Sequence, residues 1–175
     1  MSNFAVDIYN FRSTMGCADY NESFETDDLF MSYLPVEVDG NMTIHNNVYI
    51  HGGLFVTGDI FVSGDLVVTG DINCNGNIIV NGNITSAGSV FSDHCIEVSE
   101  LTVVGNLFAG RSVKSKSVSA DEIDVKYLSS TGPVMSRNCI TSELIYCNNS
   151  VIAGTTISVG PESYIAGVII SNIKR

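Results

Sequence analysis

Three histidines, five cysteines and nineteen acids are the side chains with which this chain could do chemistry. A histidine serves as a general base near neutral pH. A pair of carboxylates about 5 to 9 Å apart serves acid and base work on a glycosidic bond. Histidine, cysteine and aspartate at short spacing hold zinc. His45 and His51 stand six apart and His94 lies far downstream between Asp93 and Cys95, and no HxH, HxxxH or His with a nearby Cys and Asp presents metal-ligand spacing. These three read as surface histidines. Asp93, Glu97 and Glu100 are near one another in sequence and read as ordinary surface carboxylates. Neither GxxxxGK[ST], GxSxG nor GxGxxG is present.

The elements that would position such groups are legible in the stretch GDIFVSGDLVVTGD, residues 58–71. Glycine falls at 40, 52, 58, 64, 70, 76, 82 and 88, a period of six with Asn46 filling the gap. Most are followed by Asp or Asn, and two positions past each stands an aliphatic such as Ile60, Leu66, Ile72, Ile78 or Ile84. A second inward series follows two residues on, at Val62, Val68, Cys74, Val80, Ser86, Ser92 and Val98. A step of six at 100° per residue throws the marked residue to the opposite side of an α-helix, and β-branched residues with glycine disfavour helix further. Alternation over three or four residues, then a Gly-Asp bend, reads as a very short strand and a corner.

The fold class expected is therefore all-β, a single-stranded β-helix (solenoid) with about 18 residues per triangular coil. Residues i and i+18 then stack: Ile60 on Ile78 on Ile96, Val62 on Val80 on Val98, Leu66 on Ile84. Val68 belongs to the same inward set, and these nine residues are the candidate core and assembly positions. Asp59, Asp65 and Asp71 fall on three different edges, so they make no carboxylate cluster. Cys74 reads as a small core residue and Cys95 as outward. The pattern is regular over 40–98; beyond that, steps of five (Val113, Val118, Ile123, Leu128) interrupt steps of six, and an irregular continuation to residue 175 is expected, about seven coils in all from residue 41. A trimeric fibre of three interwound chains is the rival architecture.

Net charge is -11, yet charged residues make up only 15% of the 175. Residues 1–40 hold eight acids against Arg12 alone. Such a chain repels nucleic acid and anionic membrane, so no direct nucleic-acid partner is expected; it could mimic nucleic acid for a basic partner. Five scattered cysteines without a CxxC suggest neither a disulfide framework nor zinc. No cofactor is expected. No apolar run is long enough for a transmembrane segment and no signal peptide is evident, so a cytoplasmic location is expected, or a virion one if the chain is phage-encoded. The Asn-x-Ser/Thr sequons at Asn21, Asn41, Asn83 and Asn148 read as compositional accidents.

Residues 1–39 lack the glycine punctuation and hold four of the eight Phe and three of the seven Tyr. They read as an acidic, aromatic-rich cap or docking segment, with Phe24, Asp27, Asp28, Phe30 and Tyr33 as the docking candidates for a protein with a basic surface.

The repeats GDIFVSGDLVVTGDINCNGNIIVNGNI resemble those of bactofilins, the polymer-forming bacterial cytoskeletal proteins, and are similar to repeats of phage and virion structural proteins. The bactofilin resemblance implies a right-handed triangular β-helix that assembles end to end without nucleotide. Six-residue acyltransferase repeats share the period only: this phrase carries two aliphatics per unit, and no extruded loop interrupts 41–99. In that reading His51 or His94 would be the base. The function expected is a non-enzymatic structural or assembly protein, a homo-oligomeric rod or filament component. An acidic inhibitor of a basic partner and a hexapeptide-repeat acyltransferase are the alternatives from other classes.

Overall fold

The computed structural model describes residues 17–171, which form a parallel β-solenoid of about nine turns. Every described strand pairs in parallel with the strand one coil away. The separation is 18 residues through the regular half: Ile60 aligns with Ile78 and Ile78 with Ile96, Val62 with Val80 and Val80 with Val98, and Leu66 with Ile84. Pairing at that distance within one chain is what a self-stacked solenoid requires, and three interwound chains do not.

Each coil has three faces. The first begins with Ala18–Tyr20, Val36–Val38 and Leu54–Val56, the second with Phe24–Thr26, Met42–Ile44 and Ile60–Val62, the third with Phe30–Ser32, Val48–Ile50 and Leu66–Val68. A three-residue strand sends its first and third side chains inward and its middle one outward. Hence the recurring buried, exposed, buried pattern, and the nine core positions expected from sequence are 0–6% exposed. They join coil to coil within one chain and present no outer surface to a second copy.

The corners explain the Gly-Asp and Gly-Asn pairs. The side-chain oxygen of the Asp or Asn accepts the backbone N–H of the residue one coil on: Asn41 Oδ1 from Asp59 at 2.8 Å, Asp59 Oδ1 from Asn77 at 2.6 Å, Asp65 Oδ1 from Asn83 at 2.8 Å and Asp71 Oδ1 from Ser89 at 2.7 Å. Unpaired corner donors are thereby satisfied in a ladder. The three aspartates do lie on three corners. Left-handed backbone explains glycine only at Gly40 and Gly52, with φ of 134° and 132°. At Gly58, Gly64, Gly76, Gly82 and Gly88 the reason is room, because the ladder side chain from the neighbouring coil occupies the place of a Cβ.

Two differences from the sequence reading concern the ends of the regular region. Residues 18–38, assigned to a non-repeating segment, are coils of the same stack: Ala18–Tyr20 pairs with Val36–Val38, Phe24–Thr26 with Met42–Ile44, and Phe30–Ser32 with Val48–Ile50. The boundary at 39/40 is therefore no structural boundary. Residues 1–16 of that segment lie outside the described residues. Downstream, coils shorten by single residues at different corners. Ile96 to Leu101 and Val113 to Val118 are steps of five between the second and third faces, and Val118 to Ile123 is one between the third and first. Ile123 to Leu128 and Ile140 to Ile145 are steps of five between the first and second, where Leu107–Ser115, Ile123–Ser130 and Ile140–Cys147 run as continuous strands. Leu107 aligns with Ile123 and Val113 with Leu128, and two residues, Gly110 and Arg111, face one, Lys126, in a bulge. Core columns remain unbroken through Val118, Ile140, Ile145 and Val151, all at most 1% exposed.

Candidate functional site

The residues with chemical potential do not converge. His45, His51 and His94 occupy three separate corners: His45 Nε2 lies 3.1 Å from Glu25 Oε1, His51 Nδ1 3.4 Å from Thr69 Oγ1 and His94 Nδ1 3.1 Å from the Asn75 carbonyl oxygen. Asp93 sits at the corner between the first and second faces and Glu100 begins the third face, while Glu97 points out from the second face against Lys114 at 2.5 Å. Among the described residues no three of His, Cys, Asp and Glu are grouped to hold a metal ion. Among them too, no helix is long and apolar enough to cross a membrane.

Three of the cysteines, Cys17, Cys74 and Cys139, are held as thiols. Burial, with Asp59 and Asp93 nearby, pushes Cys74 up to about 11, and its S–H points to the Gly58 carbonyl at 3.1 Å. Ser92, one coil on in the same column, donates to Gly76 O at 2.9 Å, and Ser86 donates to Gly70 O at 2.8 Å. A small donor at this inward site thus ties the bore to a corner carbonyl, which is why serine is tolerated inside. Cys17 and Cys139 are also raised, chiefly by burial, with Glu37 and Glu122 respectively the next largest cause.

An expected pH dependence follows. In the unfolded chain Cys74 ionises near its ordinary 9.0, while in the fold it keeps its proton until about 11. Its contribution to stability is complete below the lower value and is lost as pH rises through the upper one. Cys74→Ser keeps the hydrogen bond and removes the titration. Denaturant melts should therefore show the parent losing more stability than C74S across this window; equal losses refute the assignment.

Of the five docking candidates, Phe24 and Phe30 turn inward. With Tyr20 they form an aromatic cluster, at centroid distances of 4.5 Å (Tyr20 to Phe24), 5.2 Å (Phe24 to Phe30) and 6.2 Å (Tyr20 to Phe30). Phe30 is 8% exposed and Phe24 packs on the core, so both fill the first coil from inside and are corrected from docking to core positions. Asp27, Asp28 and Tyr33 remain outside, Tyr33 at 79% exposure.

What the sequence reading missed is the outer surface. The outward positions carry apolar side chains in columns: Phe55, Phe91 and Phe108 on the first face, Phe61 and Ile79 on the second, Met31 and Tyr49 on the third. The sequence signal for it is the middle residue of each three-residue strand. A shallow groove of about 360 Å³, lined by Cys17, Pro35, Glu37, Phe55, Asp71 and Asn73, runs beside the first of these columns. Its thiol is held protonated and it contains no histidine, so it joins no nucleophile to a base.

Fold and surface together define a class, a self-stacked parallel β-solenoid with short corners and apolar outer columns. No family model matches the chain, and no curated protein or solved structure is significantly similar to it.

Proposed function

We propose that the chain is a non-enzymatic structural element, a rigid rod that acts by assembling with copies of itself, in the manner the bactofilin-like repeats imply. The observation that carries this reading is that the repeat is spent on coil-to-coil contact: inward pairs fill one bore, Asx ladders tie the corners, and no connection between described strands exceeds residues 160–163. Polysaccharide-cleaving β-helices wall a groove with long side loops; connections of this length build corners. At about 4.8 Å per coil the rod is roughly 40 Å long. Exposed apolar columns on its sides are characteristic of interaction surfaces. Ile169 adds to this, since it continues the inward column of Val134 and Val151 yet is 56% exposed.

Light scattering coupled to size exclusion tests the proposal. Apparent mass should rise with concentration above that of the 18.7 kDa chain, and negative-stain images should show discrete oligomers or filaments. A monomer at every concentration and at low salt refutes it.

A further inference from the structure

The second face carries a charge pattern that repeats at a distance. Its outward column reads, coil by coil, Glu25, Thr43, Phe61, Ile79, Glu97, Lys114. In the first coil Glu25 is flanked by Glu22 at the corner shared with the first face and by Asp27 and Asp28 at the corner shared with the third. In the sixth coil Lys114 is flanked at the same two corners by Arg111 and Lys116. All seven side chains are exposed. Among the described residues Arg111 and Lys116 make no ion pair, although Lys114 meets Glu97. Midway between the two poles stand the apolar Phe61 and Ile79, the latter 38% exposed.

Resting on the assembly reading above, we infer that this face binds a second copy of the chain, with the two rods antiparallel and related by a twofold axis that crosses the face between Phe61 and Ile79. A twofold in the plane of contact and perpendicular to the rods sends coil one onto coil six, two onto five and three onto four, and keeps each corner on its own side. Glu22 then meets Arg111, Glu25 meets Lys114, and Asp27 and Asp28 meet Lys116, each twice. Phe61 meets Ile79 at the centre. His45 comes opposite Glu100. The one like-signed meeting is Asp39 with Asp93, beside His94. A parallel arrangement would place acid on acid and base on base, so the charges select the antiparallel one.

Six coils at about 4.8 Å, each face about six residues wide, bury on the order of 1,000 Å² in total, at the lower limit for a specific interface. An apolar centre of two residues per copy is small, so the poles set register and the contact is salt-sensitive.

The test uses the full chain and two charge-swapped variants. One is R111E/K114E/K116E, acidic at both poles; the other is E22K/E25K/D28K, basic at both. The parent should dimerise, with a dissociation constant rising on the order of tenfold or more between about 0.05 M and about 0.5 M salt. Each variant alone should be monomeric at concentrations where the parent is a dimer. An equimolar mixture should form the heterodimer, visible by light scattering and native mass spectrometry, because a positive pole then faces a negative one at both ends. Far-UV circular dichroism and melting of each variant should match the parent. If the parent assembles and both variants assemble equally well, this face is not the contact and the general assembly reading stands. If two folded variants stay monomeric when mixed, the antiparallel register is wrong. A parent that is monomeric at low salt removes both readings.

Discussion

Replacing Ile78 with alanine should lower the unfolding free energy by about 2–5 kcal/mol, and replacing it with aspartate should leave the middle of the stack unfolded. Ile78 is fully buried, with Ile60 on one side of it and Ile96 on the other in the same column. In a globular core, neighbours can collapse part-way into the space left by a truncation. Here the coil spacing is fixed by backbone hydrogen bonds such as Gly76 N–H to Gly58 O at 3.0 Å and Gly82 N–H to Gly64 O at 3.1 Å, so the bore cannot close axially around the void. The alanine cost should therefore lie in the upper part of the range. An aspartate adds a carboxylate with no donor in reach, in a bore where polar side chains occur only with a carbonyl to bond, as at Ser86 and Ser92.

Each coil contacts chiefly its two neighbours, so the consequence should be topological as well as energetic. A defect at coil four uncouples the coils before it from those after it. The guanidinium melt of Ile78→Ala, followed by far-UV circular dichroism, should show a lower midpoint. Its slope should also be reduced relative to the parent if the two segments melt separately. A change of under about 1 kcal/mol would mean that Ile78 is not in a closed bore.

How much of this was legible in sequence can be argued from particular residues. Between Gly40 and Val98 the inward pairs, the corner residues and the stacking partners follow from the six-residue phrase, because every coil there spends its residues in the same way. The first coil and the opening strand of the second, before Gly40, were hidden because their corners are Asn21-Glu22-Ser23, Asp27-Asp28-Leu29 and Tyr33-Leu34-Pro35, without glycine. The usable signal was the inward series Phe24, Phe30, Val36 and Met42, still six apart. Aromatic residues in an acidic segment suggest a surface, whereas at the first coil they fill a bore. After Ser99 the irregular spacing comes from single residues lost at different corners, which a count of aliphatics registers only as a slipped phase. The losses fall between the second and third faces at Ile96 to Leu101 and Val113 to Val118, the third and first at Val118 to Ile123, and the first and second at Ile123 to Leu128. The face-two charge pattern was unreadable without coordinates, since Glu25 and Lys114 share a column only once the number of residues in every intervening coil is known.

Gly76→Ala tests the corner ladder as Ile78→Ala tests the bore, and should destabilise by about 3–5 kcal/mol, the sum of overpacking and of the hydrogen bonds it forces apart. A Cβ at Gly76 would overlap Asp59 Oδ1 and come within 2.7 Å of the Gly58 carbonyl oxygen. Relief requires the coils to separate locally, at the expense of the Gly76 N–H bond to Gly58 O and the 2.6 Å bond from Asn77 N–H to Asp59 Oδ1. Gly53 supplies the contrast within the same family of corners. Its nearest neighbour to an added Cβ is Asp71 O at 3.4 Å, and its φ is not left-handed. Gly53→Ala should therefore be neutral or stabilise by about 0.4–1 kcal/mol through the unfolded chain. The same chemical change thus has opposite expected signs at two glycines of one repeat, read as the difference in denaturation midpoint between the two variants. Equal destabilisation at both positions would show that glycine is demanded by backbone conformation and not by the ladder side chain of the neighbouring coil.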